Sequence, residues 1–423
     1  MEEIIEEAYE KAIALIRKNT TPHGLMAVSS AKESLYPVSI YIRDTMIASL
    51  GASLGLGDEY RITYQRTLTA LSRYQSELGQ IPQAVTPKDG SFVPEYESQD
   101  SNLWYLLGHC YLYRIYKDKR FFKDNLASLE RAILWLRYQD PNNDGLLEFP
   151  EGGNWMDFFG QRGVVLLDNV MWYGGLKYFA GILNECGRDG SEYDKMADDI
   201  KRKINILMWI DNTYDLEKEK EIFKMGRRRG WQYKRFIAEI AGRPFYLPYV
   251  EFMDFGEYLD TFANLMAILL GATNGEKTEG ENRADLILNY IRDVGADRPY
   301  PITAVYPPIE PGNKSWRDYY RMGHVLREKS NTPYQYINGG IWPFIGGFYV
   351  AALVKCGRME KAKEELSLLA DANKKGYKCK WGFPEYLHGK TGNVMGGDYF
   401  SWSAGMYIYA YECVKRKKVI GLE

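Results

Sequence analysis

Long apolar runs, paired cysteines and blocks of like charge are all missing from this 423-residue chain. No stretch of about 18 apolar residues occurs, so a membrane-spanning helix is not expected. The five cysteines, at 110, 186, 356, 379 and 413, are odd in number and never spaced C-x-x-C. That argues against a disulfide framework or zinc knuckle; they read as buried thiols in a reducing compartment. Histidine is scarcer still. His23, His109, His324 and His388 stand far apart, so a multi-histidine metal centre would need distant contributors, and His109, mid-helix beside Cys110, reads as core. The 54 basic and 56 acidic residues nearly cancel without long runs of one sign, which argues against nucleic acid or an acidic membrane as partner. A neutral small molecule is the expected ligand. There is no G-x-S-x-G elbow, P-loop or H-E-x-x-H. Asp198 and Asp199 are the nearest approach to an isoprenoid cyclase's clustered aspartates, but basic residues follow them directly. The first residues, MEEIIEEAYEKAIALIRKN, are acidic and amphipathic, unlike a signal or transit peptide, and the expected location is the cytoplasm. Homo-oligomerisation is left open.

What the chain has in excess is aromatic residues, 14% of the total with 34 Tyr and 10 Trp. Such rings fill helical cores, and they also wall sugar sites, where the apolar face of a pyranose lies on a ring. Apolar residues recur at helical spacing and strand-like alternation is scarce. The pattern predicts helices at about 2–18, 43–56, 58–76, 99–117, 119–138, 166–185, 190–210, 257–272, 279–295, 338–356, 358–373 and 400–416. Short turns join them in pairs, and longer Gly-, Pro- and aromatic-rich segments (77–98, 139–165, 212–256, 296–337, 374–399) separate the pairs. This describes an all-α fold of six helical hairpins closed into a ring, an (α/α)6 barrel, with the long loops over one end. No repeated consensus supports an open solenoid, and no linker divides the chain, so one domain, 1–423, is expected.

The loops hold the chemistry-bearing groups. In YPVSIYIRDTM, Arg43 and Asp44 open a helix, where an Asp is ordinarily a cap. In ESQDSNLWYLLGH, Asp100 or Ser101 would cap, while Asn102 and Trp104 face the same mouth. DPNNDGLLEFPE sets Asp140, Asn142, Asp144, Gly145 and Glu151 at the spacing of a calcium-binding loop. Pro150 and the following GGNW do not begin the exiting helix such a loop needs, and D/N/G clusters are common in plain turns. Next, EGGNWMDFFGQR places Asp157 among Trp155, Phe158 and Phe159; rings folded over a carboxylate would keep it protonated near neutral pH. In KWGFPEYLHGKTG, Glu385 has no helix to cap and no basic neighbour at helical spacing, which favours a functional role. YQYINGGIWPFIGG adds Asn338 and Trp342, and DYFSWSAGMYIYAY adds Trp402, groups suited to hydrogen bonding and stacking on a sugar.

Taken together, these segments resemble the (α/α)6-toroid glycoside hydrolases, above all the alkaline/neutral invertase family. The processing α-glucosidase, trehalase and amylo-α-1,6-glucosidase groups are more distant likenesses. The resemblance is carried by IYIRDTM, DSNLWYLLGHCYLY, GNWMDFFGQRGVVLLDNVMWYGGLKY, YPPIEPGNKSWRDYY, YINGGIWPFIGGFYVAALVKCGR, WGFPEYLHGKTG and FSWSAGMYIYA. It implies Asp157 as general acid, Glu385 as general base, Arg43 and Asp44 as a grip on the terminal sugar's hydroxyls, and inversion at the anomeric carbon. The sugar-contacting set expected around that pair is Arg43, Asp44, Asp100, Asn102, Trp104, Trp155, Gln161, Arg162, Asn338, Trp342, Trp381 and Trp402. No cofactor is implied beyond the calcium loop already named. Asp157 is expected to be the desolvated acid and Glu385 the more hydrated, ionised one. The expected activity is an exo-acting glycoside hydrolase releasing one sugar at a time from a sucrose-type or glucose-terminated α-glucoside. The alternative is a non-catalytic saccharide-binding or scaffold protein on the same toroid. Segment 88–98 and the charged insertion near 215–245 do not look like the plant invertases, which bears on substrate.

Overall fold

Two kinds of helix, one apolar on every side and one with a single apolar stripe, account for the architecture of the computed structural model, which describes residues 2–34, 36–212, 214–252, 254–322, 330–377 and 379–422. In chain order the helices are α1 (Glu2–Asn19), α2 (Ala31–Ser34), α3 (Ile42–Gly55), α4 (Asp58–Ser72), α5 (Ser101–Tyr116), α6 (Lys119–Arg137), α7 (Leu166–Glu185) and α8 (Ser191–Leu207). They continue with α9 (Leu216–Met225), α10 (Arg227–Ile240), α11 (Thr261–Leu269), α12 (Arg283–Asp293), α13 (Pro343–Lys355), α14 (Met359–Lys374) and α15 (Ser401–Arg416).

Helices buried all round must sit inside. In α13 the whole run Pro343–Val354 is buried, and in α7 so is Leu166–Leu176. Six such helices pack in the cyclic order α3, α5, α7, α11, α13, α15 and back to α3. Around them stand α1, α4, α6, α8, α12 and α14. These bury one stripe only, as α6 does with Phe122, Leu126, Leu129, Ile133 and Leu136 at alternating spacings of four and three. The expected (α/α)6 barrel is therefore what the sequence forms. The ring closes where α15 meets α3, and there glycines are required: a Cβ on Gly405 would lie 2.4 Å from Ala48 Cα, and one on Gly51 1.7 Å from Gly405 O. The last inner helix takes the first helix as its outer partner, with Tyr9 Oη donating to Glu412 at 2.8 Å and Tyr411 Oη to Glu6 at 2.8 Å.

All long connections precede inner helices, so the six inner N-termini share one end of the ring with those loops. Short strands stitch neighbouring loops together. Ile40–Tyr41 pairs with Ala84–Lys88, which pairs with Ser91–Glu95; Gly163–Val165 lies between Glu148–Phe149 and Tyr249–Val250; Leu259–Asp260 pairs with Val305–Tyr306.

Several expectations need correction. Segment 212–256 is not simply a loop: it contains α9 and α10. Asp215 caps α9 by accepting from the amides of Glu217 and Lys218, and Ile222, Met225, Tyr233 and Phe236 bury one side of the pair. The helix expected from 338 begins only at Pro343, because proline suits the first turn and holds Trp342 extended. Of the cysteines, only Cys110 and Cys413 are buried; Cys186, Cys356 and Cys379 are half-buried, and all five are free thiols. His109 is core as expected. It stacks on Phe121, its Nδ1 lies 3.0 Å from Tyr105 O, and burial pushes its pKa down to about 4. His324 lies outside the described residues. Asp198 and Asp199 are engaged in surface ion pairs with Lys177, Arg202 and Lys203. Among the described residues no helix is long and apolar enough to cross a membrane.

Candidate active site

A cavity of about 610 Å³ opens among the loops, walled by Tyr36, Pro37, Tyr41, Ile42, Arg43, Asp44, Gln83, Glu95, Glu97, Glu151, Gly152, Asp157, Phe158, Phe159, Tyr319 and Tyr336. Of the expected catalytic and sugar-contacting residues, Arg43, Asp44 and Asp157 are in this wall. Glu385 is not part of it, yet it stands close by. Burial first, and then the charges of Asp157 and Glu385, hold the Tyr336 phenol well above its ordinary pKa. Burial likewise raises Tyr36, aided by Asp44, Tyr41, Glu385 and Asp157. Two carboxyls 228 positions apart in the chain thus act on the same tyrosines.

Asp44 feels both as well. It is 2% exposed in the first turn of α3. Burial raises its pKa to about 7 against the opposing pull of Arg43, and Glu385 and Asp157 push it further the same way. It is no helix cap: Tyr41 holds the cap position with no side-chain bond, and Asp44 Oδ1 has no hydrogen-bond partner. Arg43 is committed to Asp100, with Nε to Oδ2 at 2.8 Å and Nη2 to Oδ1 at 2.9 Å. Burial works against its charge, but Asp100 overrides this and the guanidinium pKa rises.

Four inner helices begin with a buried aspartate at this end: Asp44 on α3, Asp100 before α5, Asp168 on α7 and Asp260 before α11. The partial positive charge of helix N-termini favours carboxylates there. Burial nonetheless raises Asp168 well above the carboxylate range and Asp260 to about 6. Both hold the loop of Asp157. Asn154 Nδ2 donates to Asp168 at 2.9 Å and Gln161 Nε2 to Asp260 at 3.1 Å, while the Gly160 amide donates to Tyr320 Oη at 2.9 Å.

The rings around Asp157 do not fold over it. Trp155 packs edge-on against Phe262, Trp342 and Phe344 inside the ring, and Phe159 stacks on Tyr320. Phe158, 58% exposed at a φ of 56°, stands on the cavity wall. Asp157 is half-buried and Glu385 only 2% exposed, so the expected order of hydration is reversed. The Glu385 loop is tied by its backbone: the Glu385 amide donates to Gly397 O at 2.9 Å, and Leu387 exchanges bonds with Ile341 at 2.8 and 2.9 Å. Tyr386 stacks on Trp342. Six aromatic residues of the site loops, Phe158, Tyr334, Tyr336, Trp381, Phe383 and Tyr399, hold positive φ. Bulky side chains rarely adopt this conformation, and strain of order 1–3 kcal/mol each is tolerated where the surroundings over-determine the backbone.

Most other expected sugar contacts are placed away from the cavity wall. Asn102 bonds the backbone of Ile81, Gly79 and Ala132; Asn338 bonds that of Ile309 and Asn331. Asp100 lies beneath Arg43, and Trp104 donates to it while stacking on Phe262. Trp342 and Trp402 are in the aromatic core, and Trp381 donates to Glu7. Gln161 is spent on Asp260, and Arg162 pairs with Glu151 and Asp254. The fit to a calcium loop fails. Asp140 accepts from the amides of Asp144 and Gly145, Asp144 is paired with the buried guanidinium of Arg229 at 3.0 Å, and Glu151 is turned to Arg162 and Tyr319. Sequence reasoning missed Glu95, Glu97, Tyr36, Tyr319 and Tyr336. The period-two pattern TPKDGSFVPE, with a D-G turn, was the available signal for the first two.

Comparison with known proteins agrees with this architecture. Residues 251–416 match the family model described as alkaline and neutral invertase. Alkaline/neutral invertase C, mitochondrial, of Arabidopsis thaliana is 27% identical over 179 residues, 40% of this chain and 23% of that protein. Cytosolic invertase 1 of Oryza sativa subsp. japonica is 29% identical over 173 residues, 40% of this chain and 28% of that one. The matched part thus spans about a quarter of the relatives' own length. Among solved structures, the GH63 mannosylglycerate hydrolase of Thermus thermophilus superposes with a TM-score of 0.65 at 14% identity, covering 95% of this chain and 99% of that one. A bacterial glucoamylase complexed with acarbose gives 0.62 at 15% identity, covering 98% and 56%. At such identities the likeness is one of fold. This chain is an (α/α)6 toroid, and its residues 251–416 are similar to the alkaline and neutral invertase family.

Proposed function

We propose that this protein is an inverting, exo-acting glycoside hydrolase in which Asp157 protonates the leaving oxygen and Glu385 accepts the proton of the attacking water. The substrate class is a sucrose-type or glucose-terminated α-glucoside. The observation that carries the reading is that two carboxyls, from separate crossovers, both lie near enough for their charges to reach Tyr36, Tyr336 and Asp44. Hydrolysis of a glycosidic bond needs one acid on each side of the sugar, with room for water beside the base.

The pieces divide the work as follows. Asp157, half-buried on the cavity wall, is reachable by a leaving group. Glu385 is shielded, only 2% exposed. Burial alone does not assign acid and base, because it runs opposite to the sequence expectation; the roles rest on the family resemblance at WMDFF and FPEYL. Asp44, protonated below about pH 7, offers a hydroxyl to a sugar oxygen, with Oδ1 available as acceptor. Arg43, on the cavity wall, is fixed by its two bonds to Asp100. Incubation with sucrose, trehalose, maltose, isomaltose and panose, read by anomeric NMR, tests the proposal. Release of one sugar of inverted configuration is the expected result, and retention or no turnover on the whole panel defeats it.

A further inference from the structure

The cavity wall is far more acidic than the chain. It carries five carboxyl side chains (Asp44, Glu95, Glu97, Glu151, Asp157) and one arginine, in a protein whose acids and bases nearly balance. The arginine is neutralised by Asp100, and Glu151 is neutralised by Arg162 at 2.7 Å. Among the described residues no ion pair offsets Glu95 or Glu97, which leave the sheet edge at and just after the strand Ser91–Glu95.

Burial gives this wall a direction. Asp44, a residue of the wall, is the deep end, 2% exposed with Oδ1 buried and unpartnered. Asp157 and Glu95 are half-buried, while Glu97, Glu151 and Phe158 are exposed. Resting on the reading above, the terminal sugar goes in first against Asp44, and the leaving group lies outward of Asp157, beside Glu95 and Glu97.

We propose that Glu95 and Glu97 determine specificity at the leaving-group end, selecting uncharged saccharides and rejecting leaving groups that carry a carboxylate or phosphate. An anion placed there meets two carboxylates and, among the described residues of the wall, no cation that is not already paired; like charges repel strongly where protein limits solvent screening. An uncharged polyol instead donates hydroxyls to the same oxygens.

The test uses two probes of nearly the same shape that differ chiefly in charge, 4-carbamoylphenyl and 4-carboxyphenyl α-D-glucoside. The wild type is expected to favour the neutral probe in kcat/KM by roughly tenfold at low ionic strength, and added salt should shrink the ratio because part-exposed charges are screened beyond about 10 Å at 0.1 M. In the double variant Glu95→Gln/Glu97→Gln the ratio should fall to within roughly threefold, with circular dichroism unchanged. Equal use of both probes by the wild type, or an undiminished ratio in the double variant, overturns the proposal. If neither probe is hydrolysed, the sugar panel above still decides the activity reading. The same pair is then compared by calorimetric binding, where preference for the neutral probe that vanishes in the double variant upholds the charge filter and equal affinity refutes it.

Discussion

The two loops that bring carboxyls to the cavity are built on opposite principles. The loop of Asp157 is clamped through side chains: Asn154 on Asp168, Gln161 on Asp260, and Tyr320 on the Gly160 amide. The loop of Glu385 is held by main-chain bonds and by glycines that allow close approach, since a Cβ on Gly397 would lie 1.7 Å from Ser34 O and one on Gly396 2.8 Å from Glu385 Oε2. Tolerance to mutation should differ accordingly. The first loop can be loosened without being blocked, whereas the second is spoiled by adding a single methyl group.

The largest effects test whether both loops serve one reaction. Asp157→Asn and Glu385→Gln should each lower kcat by at least about 10²-fold with the fold retained, as loss of a proton-transfer group does; a loss from only one of them would break the symmetry. Next comes Asp44, which senses both charges. Its folded pKa of about 7 lies above the unfolded 3.8. Its contribution to stability is therefore whole below the lower value and disappears as pH climbs to the upper one. Wild type should lose stability relative to Asp44→Asn across that window, by up to roughly 4 kcal/mol, read by urea unfolding at successive pH values. Gly397→Ala should then cost about 1–3 kcal/mol through forced backbone displacement and lower kcat with it. Asn154→Ala should cost about 1–2 kcal/mol and reduce kcat more than it raises KM, because the loop is freed but the cavity remains. Smallest of all, Trp381→Phe removes a bond to Glu7 on the far side of the base loop, and activity should stay within about twofold.

The helical ring was legible because inner and outer helices have distinct patterns, and those patterns follow from burial alone. What stayed hidden in the fold was α9 and α10, whose EKEKE and RRRGWQYKRF runs look solvated although Ile222, Tyr233 and Phe236 anchor them. In the site, loops singled out in the sequence do meet at one cavity, but the direction of their side chains was misjudged. A tryptophan or asparagine beside an acid was expected to share its face. Trp155, Trp342, Asn102 and Asn338 instead point into the scaffold and fix the loops from below. Side-chain direction within an irregular loop depends on contacts with remote segments, such as Tyr320 against Phe159, and no local periodicity encodes it.

The seam between α1 and α15 has a consequence for biosynthesis. Tyr9 and Glu6 find their partners some 400 positions later, at Glu412 and Tyr411. While the ribosome adds about 5–20 residues per second, the apolar stripe of Ala8, Ala12, Leu15 and Ile16 waits tens of seconds without its helix. Only once α15 has been made can it pack on both α3 and α1 and complete the ring.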